Sequence, residues 1–140
     1  MNAAKFERIL PEINEQNRHF WCGGEDGHLH MLRCDECQHF VHPPMPICTQ
    51  CRSRALTVQT LSGIGRVASF TINYQPWFPG LEVPYCVAII ELNEQPGLRL
   101  TSNIVNCDLD AIQIGMPVRV HFEQQEDVWL PLFEPSSSVR

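Results

Sequence analysis

Cys34-Asp35-Glu36-Cys37 and Cys48-Thr49-Gln50-Cys51 are two Cys-x-x-Cys turns separated by the ten residues 38–47. Each turn can aim two thiolates at one point, and two such turns facing each other form a tetrahedral cage of four thiolates, the donor set of structural zinc. The ribbon between them has almost no apolar core, so metal binding, worth roughly 10–16 kcal/mol in comparable sites, must supply most of its folding energy. Four thiolates leave no open coordination position, which makes the centre a staple of the fold and not a catalytic metal. His39 and His42 lie close enough to compete as ligands, yet a complete four-cysteine set needs neither. Iron in the same cage is the metal alternative. Against it, Gln38 and Arg52 stand directly after the doublets, where glycine would let backbone amides approach the sulfurs. Redox-active turns are the other alternative, but thioredoxin-type sites use one doublet at a helix N-terminus, and the acidic Asp35-Glu36 disfavours a thiolate.

On the N-terminal side, His28 to Arg33 alternates loosely and predicts a short strand leading into the first doublet. Pro11 can open a helix and Gly23-Gly24 can close it, which brackets a helical segment from Pro11 to Cys22. Phe6, Ile9 and Leu10 fall at helical spacing, so a first short helix precedes it. Neither piece has enough apolar surface to stand alone, so residues 1–27 read as a helical arm that docks on its own ribbon or on a partner.

Between the doublets, His42-Pro43-Pro44-Met45-Pro46 excludes helix and reads as a stiff extended connector. Beyond Cys51, strands are predicted at Leu56 to Leu61, Arg66 to Tyr74, Tyr85 to Leu92, Leu98 to Val105, Val118 to Glu123 and Val128 to Phe133. Tyr85 to Leu92 is a nearly unbroken apolar run, expected of a strand buried on both faces. Asp108 to Ile112 suits one helical turn with Asp108 as N-cap. About five strands with a short late helix is the pattern of a Greek-key barrel of the OB type, with a five-stranded open sandwich as the alternative. The organisation is therefore mainly β: helical arm 1–27, zinc ribbon 28–55, five-stranded barrel 56–134 and a frayed tail 135–140.

The chain has 140 residues, 44% apolar, which suffices for one ordinary domain and a small appended unit. Sixteen acidic against ten basic side chains leave a formal charge of -6, and the only lysine is Lys5, so few cations are available to neutralise a phosphate backbone. No apolar run approaches the roughly 18 residues of a membrane helix, and Met1 to Leu10 lacks the order of a signal peptide. A soluble, cytoplasmic protein is expected. Seven cysteines, an odd number with four in doublets, favour metal over a disulfide scaffold.

Phe20-Trp21, Leu32-Arg33-Cys34, Pro43-Pro44 before Cys48, Gly65-Arg66-Val67 with Ser69-Phe70-Thr71, Pro84-Tyr85 with Val87-Ala88, Ile114-Gly115-Met116-Pro117-Val118 and Leu130-Pro131 follow one another in a specific order. In that layout, over residues 16 to 134, the chain resembles the bacterial and archaeal acyl-CoA-associated family that joins a rubredoxin-like zinc ribbon to an OB-fold, known as domain of unknown function thirty-five. It departs from the family pattern at Gln38 and Arg52. The resemblance implies a non-catalytic subunit beside a thiolase-superfamily enzyme, in a hetero-oligomer that makes or cleaves carbon-carbon bonds of acyl-CoA, such as a thiolase or a side-chain aldolase, a lyase. It implies that ribbon and barrel hold the partner together and help shape its CoA channel, with a CoA thioester as a ligand of the complex.

The residues themselves give an enzyme little support. Cys86 sits inside an apolar run, Cys107 follows Asn106 in a loop without a neighbouring histidine, His121 is on the polar side of its strand, and Gly63-Ile64-Gly65 is a turn signal. More informative is Tyr74 to Pro84, where three prolines and a glycine forbid regular structure while Trp77, Phe78 and Leu81 are large and apolar. Either this loop folds back on the barrel, or it anchors a partner or acyl-CoA. The candidate sites are thus Cys34, Cys37, Cys48 and Cys51 for zinc, and Phe20, Trp21, Trp77 and Phe78 for partner or acyl-CoA contact. Single-stranded nucleic-acid binding is the alternative function, because OB barrels and ribbons both serve it elsewhere; the net charge weighs against it.

Overall fold

A computed structural model of the chain describes residues 8–136, so Phe6 of the expected first helix and the tail residues 137–140 lie outside the described part. The helical arm is far shorter than expected. Among the described residues only α1, Arg18–Trp21, is α-helical, followed by a 3₁₀ turn at Gly23–Asp26. The reason lies at Asn14 and Asn17, whose side chains each accept the other's backbone N–H at 2.9 Å. Asparagine side chains that satisfy the backbone locally compete with helix propagation, and the helix from Pro11 does not form.

Two sheets follow. The ribbon sheet has the order β2-β1-β3, made of β1 (Leu29–Cys34), β2 (Phe40–Val41) and β3 (Leu56–Leu61). β3 pairs with β1 along its whole length, from Leu29↔Leu61 to Cys34↔Leu56. The first strand after the second doublet therefore completes the ribbon and does not belong to the barrel, into which the sequence reading had placed it. In that position Thr57, Val58, Gln59 and Thr60 are exposed, and Leu61 alone of the strand is fully buried.

The barrel closes in the order β4-β5-β6-β8-β7 from β4 (Ile64–Asn73), β5 (Tyr85–Leu92), β6 (Arg99–Ile104), β7 (Pro117–Gln125) and β8 (Val128–Pro135). β8 thus runs through Pro135, and Ser136 is buried against the body. Gly65 lets β4 cross β5 closely, since a Cβ there would lie 2.5 Å from the Glu91 carbonyl oxygen. A bulge between Val67 and Ser69 then bends β4 around the barrel. β5 corrects the expectation of two buried faces. Cys86, Ala88, Ile90 and Leu92 point inward, whereas Ile89 is exposed and Val87 half-buried, the alternation of a barrel stave. The late helical turn is present as a 3₁₀ turn, Leu109–Ala111, with Asp108 at its N-cap position but no side-chain capping bond.

One core joins both units. Leu29, Met31, Phe40 and Leu61 of the ribbon sheet cluster with Val67, Ile90, Leu100, Val118 and Phe133 of the barrel, and Phe20 of α1 completes the seam. Gly24 brings the 3₁₀ turn flat onto β7 and β8, where a Cβ would lie 2.6 Å from Phe122 and 2.9 Å from Trp129. Among the described residues no helix is long and apolar enough to cross a membrane.

Candidate metal centre and docking surface

Cys34 ends β1, and the chain then turns so that the Gln38 N–H donates to the Cys34 carbonyl at 3.0 Å and the Cys34 N–H donates to the His39 carbonyl at 2.9 Å. The second doublet repeats this: Arg52 N–H to the Cys48 carbonyl at 3.0 Å, and Cys48 N–H to the Ser53 carbonyl at 2.8 Å. The two turns are thus one motif used twice, and both place the residue after the second cysteine in left-handed backbone, with φ of 68° at Gln38 and at Arg52. These are the two positions where glycine was expected. The conformation that glycine would favour is present, imposed on side chains that disfavour it.

The four sulfurs lie within 4.8 Å of one another, with Cys34 and Cys51 at 3.5 Å and Cys37 and Cys48 at 3.6 Å. Ligands about 2.3 Å from a tetrahedral zinc stand about 3.8 Å apart, so the four residues fit the ion. Backbone amides assist. The Cys37 N–H points at the Cys34 sulfur (3.4 Å) and holds that thiol below its ordinary range. The N–H groups of Cys51 (3.5 Å) and Gln50 (3.3 Å) point at Cys48, and the former chiefly brings that thiol down to about 6. At Cys51 the Ser53 N–H favours the thiolate, but the neighbouring sulfurs, Cys34 foremost, push that thiol up to about 12. Four negative sulfurs at such distances demand a cation between them. Around the cage only Val41, Leu32 and Leu56 pack with the cysteines, so the metal end of the ribbon has little apolar support. His39 and His42 are not among the grouped ligand atoms. His42 instead packs its ring 4.6 Å from Phe20, with its Nδ1 buried and unbonded; burial, and then the nearby His19, bring it down to about 4.

The four residues predicted to contact a partner separate into two kinds. Phe20 is only 4% exposed and sits in the shared core, edge to face with half-buried Trp21 at 4.8 Å, and both rings line the groove beside the barrel. Trp77 and Phe78 are 64% and 47% exposed, beside Tyr74 at 69%, on the loop between β4 and β5. Asn73 orients the tryptophan by accepting its Nε1–H at 3.3 Å. The loop therefore does not fold its aromatic rings into the barrel. Cys86 is buried and its thiol is pushed up by that burial; Cys107 is half-buried and pushed up by burial and by the Asp108 carboxylate. Neither thiol is set up as a nucleophile. His121 is exposed, as expected.

Sequence reasoning missed one cluster. The Arg8 guanidinium donates to Glu123 (3.0 Å) and Asn103 (3.1 Å), while its backbone N–H and carbonyl are both bonded by the Gln125 carboxamide (3.2 and 3.0 Å). Partners 95 to 117 residues apart leave no local pattern to read.

Comparison with known proteins agrees with this geometry. The rubredoxin-like zinc ribbon domain of ChsH2 matches residues 21–57, and the C-terminal OB-fold domain of ChsH2 matches residues 58–123. A DUF35 domain-containing scaffold protein of Methanothermobacter thermautotrophicus is 38% identical over 94 residues, 66% of this chain and 69% of that protein. A probable enoyl-CoA hydratase alpha subunit of Thermomonospora curvata is 36% identical over 130 residues, 92% of this chain; the chain spans 40% of that relative's length. Among solved structures, a chain of the Ltp2-ChsH2(DUF35) aldolase superposes with a TM-score of 0.80 at 35% identity, covering 90% of this chain and 98% of that one.

Proposed function

Because the chain belongs to the DUF35 family of zinc-ribbon/OB-fold proteins, we propose that it is a non-catalytic scaffold subunit of an acyl-CoA enzyme, held in shape by structural zinc. The partner makes or cleaves a carbon-carbon bond of its substrate, a reading that the name of the similar aldolase complex supports, and on the family resemblance it is a thiolase-superfamily subunit. The zinc ribbon and barrel stabilise that enzyme and contribute to the wall of its CoA channel. The chain supplies shape and no reacting group: its cage thiolates are committed to metal, and Cys86 and Cys107 are held protonated.

The observation that carries this reading is the exposed aromatic loop of Tyr74, Trp77 and Phe78, whose backbone is restricted by Pro76, Pro79 and Pro84. Burying about 100 Å² of each ring would contribute about 2.5 kcal/mol per residue, at about 25 cal/mol per Å². Rings on a preformed loop lose little conformational entropy on binding, so such a patch suits a protein partner. The test is gel filtration of the zinc-loaded chain with its cognate enzyme, comparing wild type with the double variant Trp77→Ser, Phe78→Ser. The variant keeps its zinc and its fold and loses co-elution; unchanged co-elution refutes the loop's role.

A further inference from the structure

β6 is incompletely paired. On one side it is bonded to β5 from Cys86↔Ile104 to Glu91↔Arg99, but on the other it meets β8 at a single position, Ile104↔Phe133, extended only by the Val105 N–H bonded to the Phe133 carbonyl at 2.8 Å. The cause is in β8. Pro131 has no N–H to offer, and its carbonyl is taken by the Ser102 hydroxyl at 2.6 Å, so the ladder cannot continue past that point. From Arg99 to Thr101, among the described residues, the side of β6 turned toward β8 is therefore paired with no other strand. A strand edge of this kind is a template for another chain.

The opening is part of a groove of ≈ 1800 Å³ whose floor includes Thr101 and Leu130 and whose far wall is the aromatic loop at Phe78 and Leu81. One residue already shows what this groove accepts. The Gln125 carboxamide accepts the Arg8 backbone N–H and donates to the Arg8 carbonyl, so a main chain is bound there at both its polar groups. The charges narrow the occupant. The acidic and basic side chains lining the groove are Glu82, Glu123, Glu126 and Arg8, and Arg8 is already paired with Glu123, so the lining is net acidic with no spare cation for phosphate.

We propose that the free edge of β6, Arg99 to Thr101, receives an extended, neutral or basic polypeptide segment of the enzyme subunit, added as a strand beside β6. This rests on the scaffold reading above and gives it a second contact continuous with the aromatic loop.

The test uses the full zinc-loaded chain and the enzyme subunit that co-purifies with it, mixed as purified proteins. Hydrogen exchange is followed by mass spectrometry, and a photo-crosslinker in place of the exposed Thr101 maps what lies against the edge. Amides in 99–104 slow at least about tenfold on complex formation, and the crosslink falls in one contiguous extended stretch of the enzyme. A complex that forms with exchange in 99–104 unchanged overturns the edge proposal and leaves the scaffold reading intact. Protection already present in the free chain and lost on deleting residues 1–7 also overturns it, because the chain's own N-terminus is then the occupant. So does salt-sensitive protection by a single-stranded oligonucleotide. Failure to form any complex removes the scaffold reading together with the edge.

Discussion

At Gln38 and Arg52 the chain holds a φ of 68° that a side chain occupies at a cost of about 1 kcal/mol relative to glycine. Arg52 is exposed, and its N–H to the Cys48 carbonyl survives any substitution except proline. Arg52→Gly should therefore raise the melting temperature of the zinc-loaded protein by about 3–5 °C, as read by calorimetry. Gln38→Gly should gain less, because the Gln38 carboxamide also donates to the Asp35 carbonyl at 2.9 Å. His42 is the second residue with a measurable signature. Its folded value of about 4 lies below the unfolded 6.5, so the unfolded chain binds the extra proton first, and stability falls as pH drops from about 6.5 toward 4. The loss is up to about 3 kcal/mol. Urea midpoints between pH 5.5 and 7.5 should slope in wild type and slope less in His42→Phe, which keeps a ring against Phe20 without a titrating nitrogen while His19, also held down by burial, remains. At this scale the ligands were legible because Cys-x-x-Cys is a local geometry. The left-handed backbone was legible only as a departure from a glycine, and the Arg8 cluster not at all, because its partners meet only after the barrel closes.

Among the elements, the ribbon sheet has two unlike ends. At Cys34 and Leu56 it is supported by sulfur and three aliphatic side chains; at Leu29, Met31 and Leu61 it is built into the barrel core. Removing the metal should therefore fray the sheet from one end. Chelation should strip protection from amides in 34–41 and 48–56 while β5 keeps its own, as hydrogen exchange would resolve. Uniform exchange across both regions would show that ribbon and barrel unfold together. Strand positions were readable from β-branched and aromatic runs, but sheet membership was not. β3 has β-branched residues like those of the barrel strands, and only its full-length pairing with β1, from Leu29↔Leu61 to Cys34↔Leu56, assigns it to the ribbon. The apolar run of β5 likewise concealed a stave with one outward face, since Val87 and Ile89 cover the barrel exterior as readily as they would fill an interior. The arm failed as a helix for a local reason, the reciprocal Asn14 and Asn17 turn, which propensity counting overlooked.

In the whole molecule a four-cysteine ribbon and a barrel share one core, and a groove along β6 reaches the exposed aromatic loop at Phe78. Its charge of -6 and the pairing of Arg8 with Glu123 favour a polypeptide partner over a phosphate polymer. In the proposed scaffold role the zinc cage bears on function through the surfaces that it holds in place. The most direct measurement is affinity purification of the zinc-loaded chain from its native cell, with mass-spectrometric identification and stoichiometry of what stays bound through a high-salt wash. The account predicts an acyl-CoA enzyme of thiolase fold in defined molar ratio, retained by wild type and lost from the Trp77→Ser, Phe78→Ser variant. Recovery of the chain alone, or with nucleic acid that the wash removes, would contradict it.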